Sequence, residues 1–92
     1  MSNFKKDPDA VLDFQFDWTD WLAEGEAISE YEIIAPDADD AIVIDSDAEQ
    51  DGVVTIWVSG GVARRRYDVT CRITTDQGRT DDRTMKIRCV DR

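Results

Sequence analysis

Hydrophobic and polar residues alternate along most of this chain, in short runs separated by Gly, Pro and Asp. Val11–Phe16 sets Leu12, Phe14 and Phe16 on one face and Asp13 and Gln15 on the other, the two-residue period of a half-buried strand. Ala27–Ala35 repeats the period, with Tyr31, Ile33 and Ala35 against Glu30 and Glu32, until Pro36 stops it. Ala41–Ile44 is a short apolar strand. Val53–Ser59 opposes Val54, Ile56 and Val58 to Val53, Thr55 and Trp57. Arg66–Thr74 turns Tyr67, Val69, Cys71 and Ile73 inward, and Arg83–Val90 does the same with Met85, Ile87 and Cys89.

The connections read differently. Asp17–Leu22 breaks the alternation, and Trp18 and Trp21, three apart, suit a single helical turn capped by Asp17 and ended near Gly25. Asp37–Asp40 and Asp45–Gly52 read as acidic turns, Gly60-Gly61 as a turn, and Thr75–Asp82, with Gly78, as a hairpin loop. Six or seven short strands, with turn signals about every 8–12 residues, predict an antiparallel β-sandwich. Residues 1–10, polar and interrupted by Asp7-Pro8-Asp9, read as an N-terminal arm, and 11–92 as the sandwich domain. Trp57 and Tyr67 fit the buried Trp and the strand-end Tyr that sandwiches use. Trp18 and Trp21 either plug the open end of the sandwich or expose one ring as an interface anchor.

The last hairpin permits a register argument. Its inward residues are odd-numbered on both strands, so paired numbers must sum to an even value. A loop centred near Gly78 sets Cys71 opposite Met85 or Ile87, and Cys89 opposite Tyr67 or Val69. Directly bridged cysteines need Cβ atoms about 4 Å apart, so no intrachain disulfide is expected. An intermolecular bond through Cys89 stays open.

Charge changes the picture more than composition does. The chain has 92 residues, 41% hydrophobic and 35% charged, an ordinary globular balance that admits one domain with one modest core. No run approaches the ~18 apolar residues of a membrane-spanning helix, and Met1–Lys6 has no hydrophobic stretch or cleavage site, so synthesis in a cytoplasm is expected. Net charge is −10, unevenly spread. Residues 7–63 hold sixteen acids and no base, whereas residues 64–92 hold nine bases and five acids. On the last two strands Arg66, Arg72, Lys86 and Arg88 point outward, with Arg64 and Arg65 just before them, and Asp68 interrupts the stripe. That stripe is either a solvated sheet face with cross-strand pairs or a dock for an acidic protein surface. So strongly acidic a domain is not expected to bind nucleic acid.

Catalytic chemistry finds no foothold. The chain has no histidine, and no Ser or Cys sits in a nucleophile signature, so no enzyme activity and no small-molecule substrate are expected. Two cysteines spaced as Cys71 and Cys89 do not make a zinc site. Asp45-Ser-Asp-Ala-Glu-Gln-Asp-Gly52 spaces carboxylates as a calcium loop does, but Gln50 stands where that loop needs Gly and Ile56 where it needs Glu. No cofactor or metal is expected, with calcium at 45–52 left open. The candidate partner-binding residues are Trp18, Trp21, Arg64, Arg65, Arg66, Arg72, Lys86 and Arg88.

Lys6–Phe14, the block Phe16-Asp-Trp-Thr-Asp-Trp-Leu-Ala-Glu-Gly-Glu26, the segment Tyr67-Asp-Val-Thr-Cys-Arg-Ile-Thr-Thr75 and Gly78-Arg-Thr-Asp-Asp-Arg83 resemble a family of small tailed-phage virion proteins, fiber-tail adaptors among them. Residues 36–52 depart from that pattern by being more acidic and less rich in Gly and Thr. The resemblance implies an all-β fold, an immunoglobulin-like antiparallel β-sandwich of about seven strands. It implies a structural virion protein that joins fibers or neighbouring components to the tail or neck, assembled in the host cytoplasm. Its implied partners are other phage structural proteins and copies of itself, with no membrane. Two alternatives accompany it: a capsid decoration (cement) protein, and a calcium-dependent carbohydrate-binding module for host attachment.

Overall fold

A computed structural model describes residues 2–6, 10–36 and 42–90. Seven strands lie among them: β1 (Ser2–Lys6), β2 (Leu12–Asp17), β3 (Ile28–Ile34), β4 (Ile42–Gln50), β5 (Val53–Gly60), β6 (Arg66–Thr75) and β7 (Thr80–Cys89). They form a four-stranded sheet ordered β1-β7-β6-β3 and a three-stranded sheet ordered β2-β5-β4. Every pairing is antiparallel except β1 with β7. This is the all-β immunoglobulin-like sandwich that alternation and turn spacing predict. Its first strand lies along the β7 edge.

The core forms where the two inner faces meet. Phe14 and Phe16 of β2, Val54, Ile56 and Val58 of β5, Val69, Cys71 and Ile73 of β6, and Met85, Ile87 and Cys89 of β7 are all buried. Each full burial of such a side chain contributes roughly 1.5–3 kcal/mol. Tyr67, at the start of β6, is buried as expected, and its hydroxyl accepts a hydrogen bond from the Val62 N–H at 2.9 Å. It fixes the chain's entry into β6 much as the tyrosine corner of immunoglobulin domains does. The Asp17–Leu22 turn is also as expected. Trp21 and Leu22 N–H groups both donate to the Trp18 carbonyl, and Asp17 Oδ1 accepts from the Thr19 N–H and hydroxyl.

Four expectations need correction. Ser2–Lys6, read as part of an arm, is a strand in parallel register with Met85–Cys89; Asp7-Pro8-Asp9 lies outside the described residues. Lys6 is only 1% exposed, and its Nζ donates to the Gly60 carbonyl of the other sheet at 2.7 Å. Its aliphatic stem fills an inward position while the ammonium finds an acceptor. The Asp45–Gly52 turn is mostly strand, because β4 runs on to Gln50 and only Asp51-Gly52 turn the chain. A bulge between Ile44 and Ser46 swaps the inward parity, so Ile42 and Ile44 face in before it and Asp47 and Glu49 after it. Trp57 is not the core tryptophan. It shares the odd-numbered outer face of β5 with Val53 and Thr55 and is 37% exposed, while Trp18 is fully buried in its place. Finally, the last hairpin is tighter than expected. β7 begins at Thr80, Cys71 lies opposite Arg83, and the Cys89 N–H donates to the Arg65 carbonyl. Even-sum pairing holds. Both cysteines are buried and outside any disulfide, some six residues apart in register, which is about 20 Å along a strand.

Candidate partner-binding surface

The outer face of the four-stranded sheet is built from the even-numbered residues of β6 and β7, and its charge changes along its length. Register sets Arg66 beside Arg88, and Lys5 of β1 on the other side of Arg88. The next row holds Lys86 beside Asp68. A shallow groove of about 260 Å³ is lined by Phe4, Lys5, Arg66, Lys86 and Arg88. Among the described residues, none of these four cations makes an ion pair. Phe4 borders the groove from β1, but its ring turns to the inner face, in register with buried Ile87 and 5.2 Å from the ring of Phe14. In the middle of the sheet the charge stops, where the Thr70 and Thr84 hydroxyls hydrogen-bond each other at 2.9 Å.

At the loop end of the same strands every described arginine is occupied. Arg72 forms a two-pronged pair with Asp82, Nε to Oδ1 at 2.9 Å and the second nitrogen to Oδ2 at 3.2 Å, and lies in register with Glu32 of β3. The Arg72 guanidinium holds the Asp82 carboxyl below its usual range. Arg79 grips Glu26 with two nitrogens, donates to the Trp21 carbonyl at 3.2 Å and lies 4.0 Å over the Trp21 ring. Glu26 also accepts from the Ala23 N–H at 2.9 Å and the Thr75 hydroxyl at 2.7 Å. Arg79 first, and the Ala23 N–H second, pull the Glu26 carboxyl down to about 2 against the opposing effect of burial. Arg83 lies 4.3 Å over the Trp18 ring and donates to the Asp17 carbonyl. The two indoles meet edge to face at 5.4 Å. This is a lock across the end of the sandwich.

The eight sequence-predicted residues therefore divide. Arg66, Lys86 and Arg88 come together. Arg72 is separated from them and neutralised. Arg64 and Arg65 occupy the β5–β6 connection at the cation end, where the Arg64 N–H donates to the Cys89 carbonyl, and Arg65 donates to Val62 and accepts from Cys89 through its backbone. Arg64 sits at φ 71°, and both side chains are exposed. Trp18 has no exposed surface and is removed from any direct contact, whereas Trp21 is half-buried under Arg79. The sequence reading missed Lys5 and Phe4, because residues taken for an arm were not placed in register with β7. It also missed Trp57.

The carboxylates of β4 do not converge. Asp45 accepts from the Ser59 hydroxyl at 3.0 Å, Asp47 from the Tyr31 hydroxyl at 2.6 Å, and Glu49 from the Gly52 N–H at 3.0 Å. The Asp47 bond, aided by burial, pushes the Tyr31 phenol up to about 12. No group of three potential ligands lies together among the described residues. Burial first pushes the Cys71 thiol up to about 11, the wrong direction for a nucleophile.

A family model described as "Podophage GP4 fiber-tail adaptor protein gp77" matches residues 6–88. No curated protein gives a significant match.

Proposed function

This chain belongs to the podophage GP4 fiber-tail adaptor family, and on that premise we propose that it joins fibers or neighbouring components to the tail or neck through the cation cluster Lys5, Arg66, Lys86 and Arg88. The family is one of structural phage proteins. The observation that carries the reading is the grouping, on one sheet face, of four cations with no ion pair among the described residues, in a protein of net charge −10. Like charges in adjacent cross-strand positions destabilise a sheet. Lys5, Arg66 and Arg88 stand side by side in one row, and the stabilising lock at the other end lies about 17–30 Å away along the strands. That exceeds the ~8–10 Å range of exposed charges at physiological salt. Among the described residues Asp68, opposite Lys86, sets one negative charge against the four positive ones, and an acidic protein surface is the partner that fits the surplus.

Nothing in the geometry favours capsid decoration over the tail. The carbohydrate-binding alternative depended on a calcium loop at 45–52, and that segment is strand as far as Gln50, with Asp45, Asp47 and Glu49 each engaged by a different group. The test is made on particles. Mass spectrometry of purified virions is expected to find the protein in the tail fraction, and phage carrying the double change Lys86→Glu, Arg88→Glu is expected to build tails that lack fibers or lack this protein. Absence of the wild-type protein from particles would overturn the assignment, and fully fibered tails on the variant would overturn the role of the cluster.

A further inference from the structure

Beside the lock, the two sheets leave a slot open at one edge. β2 is an outer strand of the three-stranded sheet. The Trp18 N–H donates to the Gly52 carbonyl, so the even-numbered residues of β2 turn their N–H and C=O groups to β5. Asp13, Gln15 and Asp17 turn theirs the other way, and the Asp17 carbonyl accepts there from Arg83 of β7. Next to that edge lies a cleft of about 590 Å³, lined by β2 from Gln15 to Asp17 and by β7 from Asp82 to Met85. Phe16 and Met85, which line it, are buried. Among the described residues β1 pairs with β7 only from Met85 onward, so no strand fills the cleft.

An unpaired edge invites pairing with another chain, and folded proteins blunt their edges with lysine, proline or a bulge. The other outer strands here are blunted in this way. β3 and β4 each carry a register shift, and β1 carries Lys5 and Lys6. β2 keeps unbroken register with β5 from Leu12 to Asp17 and contains no Lys or Pro. We infer that β2 receives an extended segment of a fiber or tail component, which adds to the sheet as its fourth strand. Backbone bonds to Asp13 and Gln15 hold the segment, and Arg83 closes the slot at Asp17. On the β7 side the Asp82 N–H is already taken by Asp81 Oδ1 at 2.8 Å, which directs the pairing to β2. The chemistry of the segment follows from its neighbours. Side chains that point inward cover Phe16 and Met85, so they are apolar. Those that point outward stand beside Asp13 and Gln15, on a sheet whose strands contain no Lys or Arg, so they are basic. Stretches of that pattern in this chain, in β1 and β7, are already paired within their own sheet, so the segment comes from another protein. An adaptor joins two things, and the edge gives it an attachment apart from the cation cluster.

A short peptide alternating valine with lysine is the probe, and one alternating valine with glutamate is the control. With the lysine peptide, amide hydrogen exchange at Asp13 and Gln15 is expected to slow about tenfold. With the glutamate peptide it is expected to stay unchanged. Gln15→Pro removes the open N–H without removing a bond to β5, so this variant is expected to keep the wild-type circular dichroism and to lose the protection at Asp13. The double change Asp13→Lys, Gln15→Lys keeps every backbone group, and it is expected to fold and to bind the lysine peptide several-fold more weakly. In purified tails the Asp13 and Gln15 amides are expected to be protected relative to the isolated protein. Exchange that ignores the lysine peptide overturns the inference, as do variants that bind it like the wild type, or tails in which both amides exchange freely. Protection that appears on concentrating the protein alone would give the edge to a second copy and overturn the occupant. The Lys86→Glu, Arg88→Glu variant is expected to bind the peptide as the wild type does, so the edge and the cluster fail separately.

Discussion

The β6–β7 hairpin has arginine at both ends, and the contrast between those ends separates residues that tie the fold together from those proposed to meet a partner. At the loop end, Arg72, Arg79 and Arg83 are each held by a carboxylate, a carbonyl or an indole face, and the partners come from β2, β7 and the turn after β2. At the other end Arg66 and Arg88 stand side by side, with Lys5 and Lys86 around them; Asp68 lies opposite Lys86, and none of the four cations forms an ion pair among the described residues. Arginine stands at both ends of one hairpin, and its neighbours differ. A basic side chain with several fixed partners ties the sandwich together. A cluster of them with no ion pair among the described residues adds like-charge repulsion to the sheet, and it is the surface proposed above for a partner. The comparison breaks if removing loop-end groups leaves stability unchanged, or if removing open-end charge lowers it.

The largest effect is expected at Trp18. It is fully buried, carries Arg83 on its face, and has Trp21 against its edge. Trp18→Ala removes the centre of the lock and leaves a cavity, so a loss of about 3–5 kcal/mol is expected in urea denaturation. In a domain of this size that is much of the total stability. Trp57→Ser, on the outer face, should cost far less by the same measurement, and equal losses would reverse the assignment of the two tryptophans.

The open end should resist changes to its backbone, in contrast to its side chains. Gly61 sits at φ 98°, and a Cβ there would collide with the Cys89 Sγ and press on Ile42. Gly61→Ala is expected to cost roughly 1–3 kcal/mol from the strained backbone alone. Tyr67→Phe strands the Val62 N–H, with an expected loss of about 1–3 kcal/mol. Both losses would be read from thermal unfolding. They would show that the cations ride on a tightly built floor.

Much of this was legible in the chain. Period-two alternation and the spacing of Gly and Asp mark six of the strands, because inward positions must be apolar wherever one face is buried. Tyr67 was legible for the same reason. The failures have particular causes. Ser2–Lys6 is polar and short, and its place in the sheet depends on pairing with residues more than 80 positions away, which no local pattern reports. Asp45–Gln50 looks like a turn because its carboxylates point to both faces, an effect of the bulge before Ser46. Trp57 attracts a core reading because it is a large aromatic residue, yet parity along Val53–Ser59 places it outside, whereas Trp18 is the buried one, as the plug reading has it. For the site, outward arginines were legible from alternation, but their division was not. Whether an arginine is occupied depends on Glu26, Asp82 and Asp17, which reach it across register or across the sandwich.

A pH series sharpens the comparison more finely. Glu26 titrates at about 2 in the fold, below its ordinary 4.5, chiefly through Arg79. A carboxyl with a depressed folded pKa contributes stability in full above its unfolded value, and loses it as the pH falls toward the folded one. The melting temperature of the wild type should therefore fall between pH about 4.5 and about 2. Glu26→Gln, destabilised at neutral pH by loss of the charged grip, should fall less across that window. Asp17 and Asp82 are also lowered, by Thr19 and by Arg72 respectively, so both proteins keep some acid sensitivity. The difference between the two curves is what reports Glu26. Parallel curves would mean that Arg79 is not a working part of the lock.

The smallest effect, and the most telling, is expected for the double change Lys86→Glu, Arg88→Glu. If the cluster were structural, two charge reversals in one sheet face would lower the melting temperature as loop-end changes do. Reversal at position 88 instead puts a carboxylate between Lys5 and Arg66, and replaces a row of like charges with two opposite-charge neighbours. Reversal at position 86 sets a carboxylate beside Asp68, which returns part of that gain. The two changes oppose each other, so an unchanged or slightly raised melting temperature is expected at low salt, with the shift vanishing as salt is added. A clear fall would place Lys86 and Arg88 with Arg79 and Arg83 as parts of the fold, and the distinction between the two ends of the hairpin would be lost.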